Sequence, residues 1–142
     1  LKSKGEDDLI IISPDAGAMK KIYPAAQAVH VPNVIIAHKH RNVATGEILS
    51  AEVPGLGQDP GRRRYVIIDD ICDGGRTFTE IAKVILNVRP RSVYGTEIYL
   101  VVTHGIFSAG FEDLSRYFQG IYCTNSYSDI SYNTIVKQLN IF

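Results

Sequence analysis

The stretch Tyr65-Val-Ile-Ile-Asp-Asp-Ile-Cys-Asp-Gly-Gly-Arg-Thr-Phe-Thr-Glu80 decides how the rest of this chain is read. Tyr65 to Ile68 is a short, β-branched apolar run, the pattern of a buried strand. Asp69, Asp70 and Asp73 then surround a turn marked by Gly74 and Gly75. Thr77 and Glu80 have the spacing of a capping box, with Thr77 capping a helix and Glu80 reaching back. Phe78, Ile81, Ala82 and Ile85 follow at i, i+3, i+4 and i+7, one face of a helix. The stretch therefore reads as strand, acidic glycine turn, helix.

A helix N-terminus presents unpaired N–H groups and a partial positive charge. Glycines let the turn's backbone approach an anion closely, so phosphate is the natural guest. The carboxylates would repel phosphate, but they suit sugar hydroxyls or a divalent cation beside it. A solvated acidic rim on an ordinary βα turn is the plainer alternative. Three carboxylates, two glycines and a helix start in so short a stretch favour a site.

Outward from that stretch, similar units recur. Leu9 to Ile12 is an apolar run ending in Ser13-Pro-Asp-Ala-Gly17. Met19, Ile22, Tyr23, Ala26 and Val29 keep helical spacing, with Pro24 expected to interrupt the helix or to open a shorter one. Val34 to Ala37 leads into the basic strand end His38-Lys-His-Arg41. Residues 42–64 are rich in glycine and proline and read as a long mobile loop, with a short hairpin around Gly46. Arg62 to Arg64 reads as a solvated loop end. Arg89-Pro90 ends the central helix, and Ile98 to Val102 is a further strand leading to Thr103-His-Gly105. Phe107, Phe111, Leu114 and Phe118 read as a helical core stripe. Ile121 to Cys123 reads as a strand before Thr124-Asn-Ser126, and Tyr132, Ile135, Val136 and Leu139 as a last amphipathic helix.

Apolar runs alternating with helical patterns predict a doubly wound α/β domain with a mainly parallel sheet. Ligands then collect beyond the carboxyl ends of the strands. That rule gathers Ser13 to Gly17, Lys39 to Arg41, Asp69 to Thr77, Thr103 to Gly105 and Thr124 to Ser126. A sugar phosphate with Mg²⁺ suits this inventory better than a dinucleotide, since no Gly-x-Gly-x-x-Gly is present.

The 142 residues suit one domain, of ordinary 45% apolar content. Fifteen basic and fifteen acidic residues cancel, so no global field draws the chain to nucleic acid or an anionic membrane. No apolar run approaches the length of a membrane span. Cys72 and Cys123 lack metal-ligand spacing and are expected as reduced thiols in a cytoplasmic protein. His38 and His40 share a strand face without a carboxylate or Cys at ligand spacing, and His104 is expected to order a loop.

Taken together, Val66 to Thr77 resembles the phosphoribosyl-binding signature of type I phosphoribosyltransferases. Ser13-Pro-Asp-Ala-Gly17 resembles the more specific Ser-Pro-Asp-x-Gly turn of the ribose-phosphate pyrophosphokinase (phosphoribosyl pyrophosphate synthetase) family. Lys39-His-Arg41, Thr103-His-Gly105 and Thr124-Asn-Ser126 also resemble that family's C-terminal domain. The resemblance implies a type I phosphoribosyltransferase-like domain spanning residues 1–142, the second half of a longer chain that forms a homo-oligomer. It implies Mg²⁺-dependent transfer of pyrophosphate from ATP to ribose 5-phosphate, giving phosphoribosyl pyrophosphate and AMP. Asp69, Asp70, Asp73, Gly74, Gly75, Arg76 and Thr77 would then hold the ribose phosphate, and Asp15, Asp69 and Asp70 the metal. Lys39 and Arg41 would be the catalytic cations. Arg76 departs from the pattern, standing where the signature has glycine. A phosphoribosyltransferase that joins a base to phosphoribosyl pyrophosphate, and a non-catalytic regulatory homologue, are the competing readings.

Overall fold

A computed structural model describes residues 8–31, 33–57, 63–130 and 134–141. Six strands form one parallel sheet: β1 (Leu9–Ser13), β2 (Val34–Ile36), β5 (Arg64–Cys72), β6 (Glu97–Gly105), β7 (Gly120–Thr124) and β8 (Val136–Leu139). Their order across the sheet is β2-β1-β5-β6-β7-β8. A separate antiparallel hairpin pairs β3 (His38–Arg41) with β4 (Ile48–Glu52). The helices are α1 (Met19–Ala28), α2 (Arg76–Val88), and the short α3 (Arg91–Tyr94) and α4 (Glu112–Tyr117). This is the doubly wound α/β architecture with a parallel main sheet expected from the sequence.

Continuous apolar runs put side chains on both sheet faces, and each face builds its own core. Ile10, Ile12, Tyr65, Ile67, Ile98, Leu100 and Ile121 pack against Phe78, Ile81, Ala82 and Ile85 of α2. Leu9, Ile11 and Val66 pack on the other face against Ile22 and Ala26 of α1. The predicted α2 stripe is thus fully buried. At about 1.5–3 kcal/mol for each large apolar side chain, it anchors the helix to the sheet. The chain runs from β1 outward to β2 and then returns to the other side of β1 as β5. The sheet therefore has its topological switch point between β1 and β5, the place where such folds bind ligands.

Several expectations are corrected. Pro24 does not break α1, which runs through it. Pro24 and Lys20 are both exposed, so the carbonyl deprived of its partner can bond water, while Met19, Ile22 and Ala26 hold the other side. The Thr77–Glu80 capping box is not formed. α2 starts at Arg76, its N-cap is Gly75 in the left-handed region at φ 85°, and no side chain caps it. Glu80 instead meets Lys83 at 2.9 Å. Residues 42–57 are not a plain loop, because β4 lies within them and the hairpin around Gly46 is formed. Residues 58–62, including Arg62, lie outside the described residues. Arg64 is no solvated loop end: its guanidinium is buried and meets Asp8 at 2.8 Å. The stripe from Phe107 to Phe118 is not one helix, since Phe107 has φ 51° and α4 begins only at Glu112. Its side chains still converge on the core, Phe107 against Phe111 at 4.8 Å between ring centroids. The last amphipathic helix is in fact strand β8, with Tyr132 outside the described residues.

Candidate functional site

The carboxyl ends of β1 and β5 bring together the groups that the sequence scatters. At the end of β1, the buried Ser13 hydroxyl donates to the Asp15 carbonyl at 2.6 Å. The Asp15 carboxylate accepts from the Ala18 N–H at 2.9 Å, ahead of α1. A Cβ on Gly17 would lie 3.3 Å from Asp15 Oδ1, so this tight turn accommodates little else. The other Asp15 oxygen faces Lys39 Nζ at 3.4 Å, delivered from β3.

At the end of β5 the two-residue strand period separates the acidic pair. Asp69 follows Tyr65 and Ile67 on the α2 face, and Asp70 follows Val66 and Ile68 on the α1 face. Asp70 forms an ion pair with Lys21 of α1. Asp69 is partly buried and accepts the Asp70 N–H at 2.8 Å. Burial pushes its carboxyl above the usual range. The Asp70 N–H opposes that shift, the charges of Asp15 and Asp70 reinforce it, and Lys39 offsets part of it.

A cavity of about 300 Å³ opens between Asp69, Lys39 and the turn Asp73–Phe78. The turn is held from behind. The Ile106 and Phe107 N–H groups donate to the Cys72 carbonyl at 2.9 and 3.1 Å, and Ser108 N–H donates to Asp73 at 3.1 Å. Gly75 packs so closely that a Cβ there would sit 3.1 Å from Leu114 Cδ2. Gly105 is needed for packing, since a Cβ would fall 2.3 Å from the Phe107 ring. Cys72 lies beneath the turn, fully buried, its thiol pushed up to about 12 by burial and by the nearby Asp73 and Asp69 charges. It is therefore an uncharged core side chain rather than a nucleophile.

Of the proposed site residues, Lys39, Asp69, Asp73, Gly74, Gly75, Arg76 and Thr77 line this cavity. Asp15 reaches it through Lys39. Arg41 does not line it: its guanidinium donates to the Gly46 carbonyl at 3.0 Å and closes the hairpin turn. Asp70 is turned to Lys21, a partner that no sequence signal placed opposite it.

The later strand ends form a neighbouring cluster. Thr124 donates to the Thr103 carbonyl at 2.7 Å, and His104 Nδ1 lies 2.5 Å from the Ser126 hydroxyl. Thr103 and Thr124 line a second, mostly apolar cavity of about 160 Å³ with Val101, Tyr122 and Leu139. Asp69 borders both cavities. Among the described residues, no group of three or more His, Cys, Asp or Glu side chains is placed to hold a metal ion by itself. His40 instead meets Glu52 at 3.4 Å.

An uncapped helix start, a cation and a carboxylate thus surround one cavity at the switch point of a parallel α/β sheet, where such folds bind ligands. The chain belongs to the phosphoribosyl transferase domain family, whose profile matches residues 1–113. It is 31% identical over 106 residues to a ribose-phosphate pyrophosphokinase of Cereibacter sphaeroides, covering 74% of this chain and 29% of that protein. A ribose-phosphate pyrophosphokinase of Saccharolobus solfataricus is 30% identical over 102 residues, covering 70% of this chain and 33% of that one. The chain thus spans a third or less of the length of these curated relatives. Among solved structures, phosphoribosylpyrophosphate synthetase from Mycobacterium smegmatis superposes with a TM-score of 0.70 at 19% identity, covering 94% of this chain and 41% of that one. Helicobacter pylori xanthine-guanine-hypoxanthine phosphoribosyltransferase gives 0.57 at 13% identity, covering 91% and 73%. The fold is therefore that of phosphoribosyl pyrophosphate synthetase-like phosphoribosyltransferases. No helix among the described residues is long and apolar enough to cross a membrane.

Proposed function

We propose that this chain supplies the ribose 5-phosphate site of a ribose-phosphate pyrophosphokinase, which transfers pyrophosphate from ATP to the sugar. The observation that carries the reading is the cavity into which the uncapped start of α2, Lys39 and Asp69 all face. The 5-phosphate lies in the turn Asp73–Thr77, held by backbone N–H groups and the Thr77 hydroxyl. Asp69 accepts from the ribose hydroxyls on the same side of the cavity. The anomeric oxygen attacks the β-phosphorus of ATP, and the bond to the oxygen shared with the α-phosphorus breaks, releasing AMP. Catalysis of such a transfer is mostly positioning and charge neutralisation. Lys39 supplies a positive charge and is ion-paired with Asp15.

Magnesium fits this donor set. Mg²⁺ usually takes one or two carboxylates and completes its shell with water and substrate oxygens. Asp69 with the neighbouring Asp15 would provide the carboxylates, and Asp70, paired with Lys21, would join only on leaving that partner. When bound, the ion neutralises charge on the transferring group.

The test is titration calorimetry of ribose 5-phosphate with Mg²⁺ into the wild-type chain and into Gly75→Val and Thr77→Ala. Loss of one or two charge-assisted hydrogen bonds should weaken binding about tenfold or more. Unchanged affinity in both variants would sink the site assignment. A second reading, a phosphoribosyltransferase, draws support from the apolar cavity that shares Asp69 and could seat a flat base. Pyrophosphate release in the presence of a base, without AMP formation from ATP, would favour it.

A further inference from the structure

Arg76 is the one side-chain cation within the turn Asp73–Thr77, and it lines the cavity while its guanidinium reaches beyond to the hairpin. Nη2 donates to the Ile48 carbonyl of β4 at 3.3 Å. Ile48 is buried and is the register partner of Arg41, at the point where the hairpin ladder is interrupted between His40 and Arg41. Two residues back along β3 from Arg41 stands Lys39, which faces Asp15 and lines the cavity together with Arg76. One side chain therefore spans from the helix start to the strand pair that delivers Lys39.

A guanidinium has five donors in a fixed plane, so it can hold a carbonyl with one arm and a phosphate with the others. We infer that Arg76 is a positioning residue that bridges the bound phosphate to the β3–β4 hairpin, so that filling the turn stiffens the strand carrying Lys39. This inference rests on the sugar-phosphate reading of the turn. A phosphate that immobilises the guanidinium removes most of the side-chain entropy otherwise lost in holding Ile48, so the two contacts strengthen each other. Coupling of this kind is reciprocal: a formed hairpin also aims Arg76 at the phosphate. Lysine keeps the charge but lacks the planar fork, so it can attract phosphate without bridging.

Hydrogen exchange at the amides of β3 and β4 tests this in the wild-type chain, Arg76→Lys and Arg76→Ala, each without ligand, with inorganic phosphate and with ribose 5-phosphate. In the wild type, either ligand should slow hairpin exchange about fivefold or more. Arg76→Ala should bind ribose 5-phosphate about tenfold more weakly, and its hairpin should gain no protection at saturation. Arg76→Lys should recover much of the affinity and none of the protection. Equal protection of the hairpin in the wild type and in Arg76→Ala at saturation would overturn the bridge, as would its absence in the saturated wild type. If inorganic phosphate protects the hairpin while ribose 5-phosphate does not bind, the bridge stands and the sugar-phosphate function falls. If neither ligand binds the wild type, both fall together.

Discussion

The turn Asp73–Thr77 and the β3–β4 hairpin face the same cavity but are held in different ways. The turn is part of the core: Gly75 rests against Leu114, the chain after β6 bonds back to Cys72 and Asp73, and α2 buries its whole apolar stripe. The hairpin is a two-stranded sheet of its own, and among the described residues it has no strand partner in the main sheet. Its tip residue Val43 is fully exposed, and most of β3 is exposed. Its base is anchored, since Ala37 before β3 and Val53 and Leu56 beyond β4 are buried in the main core and Ala51 packs against it. The polar contacts Lys39 to Asp15, Arg76 to Ile48 and Arg89 to the Leu56 carbonyl add to that hold. The groups proposed to hold the phosphate sit on the more deeply packed element. The cation proposed to act on the transferring group sits on the element of lower local stability, the usual place for parts that close over a site.

The strongest way to break this contrast is to compare the hairpin's two proposed cations in a full-length enzyme that carries this domain. Lys39 faces the cavity, whereas Arg41 is spent on the hairpin turn. Lys39→Ala should lower kcat about 10²–10³-fold, the scale for losing one group that stabilises transition-state charge, with a small change in the ribose 5-phosphate KM. Arg41→Ala should cost markedly less. Equal losses in kcat would show that the hairpin rearranges to bring Arg41 onto the reacting groups, and the division of labour drawn here would fail.

A second test concerns pH. The Asp69 carboxyl is raised, chiefly by burial, so it protonates at a higher pH than an ordinary aspartate. As pH falls from neutral, Mg²⁺-assisted binding of ribose 5-phosphate should weaken earlier than a normal carboxylate allows. Asp69→Asn should bind more weakly at neutral pH and lose that early limb. The stability effect has the opposite sense. A carboxyl whose folded pKa is raised contributes most below its unfolded pKa, and that contribution is lost as pH rises through the folded value. Asp69→Asn should therefore raise the Tm of the ligand-free domain at neutral pH, with the difference vanishing in acid. A Tm that falls at neutral pH would mean that Asp69 is stabilised by its neighbours rather than strained by its burial.

How far the sequence foretold these two regions follows from the same physics. The turn was legible because its signals are local: a β-branched run, two glycines and a helical stripe within one stretch. Even there, the cap was misplaced. Thr77 and Glu80 fit a capping box, but the left-handed Gly75 starts the helix before Thr77. The opposite facing of Asp69 and Asp70 was available from strand alternation, whereas the Lys21 partner of Asp70, 49 residues away, was not. Ile135, Val136 and Leu139 misled because so short an apolar set suits a strand as well as a helix, and pairing with β7 decided it. The hairpin was only half legible. Gly46 marked its turn, but nothing local indicated that the pairing would extend as far as His38 against Glu52.

The smallest effect makes the sharpest comparison, because Gly46 and Gly75 share a left-handed backbone and differ in what surrounds them. Gly46 has φ 71° and nothing within 4 Å of where a Cβ would stand, whereas Gly75 has φ 85° and Leu114 at 3.1 Å. Gly46→Ala therefore adds backbone strain of about 1–2 kcal/mol without any clash. The tip is closed by the Asn42 N–H to the Glu47 carbonyl at 2.8 Å and the Gly46 N–H to the Asn42 carbonyl at 2.7 Å. The Asn42 side chain also accepts from the Ala44 N–H at 2.9 Å. Strain at Gly46 bears on these bonds and on the β3–β4 ladder, but not on the main sheet. If the hairpin opens independently, its amides should exchange about tenfold faster in Gly46→Ala while those of β1, β5 and β6 and the global Tm stay almost unchanged. A Tm that drops by several degrees, with faster exchange throughout the sheet, would mean that the hairpin unfolds only with the core. The turn and the hairpin would then be one cooperative unit, and Lys39 would be as fixed as the backbone N–H groups it faces.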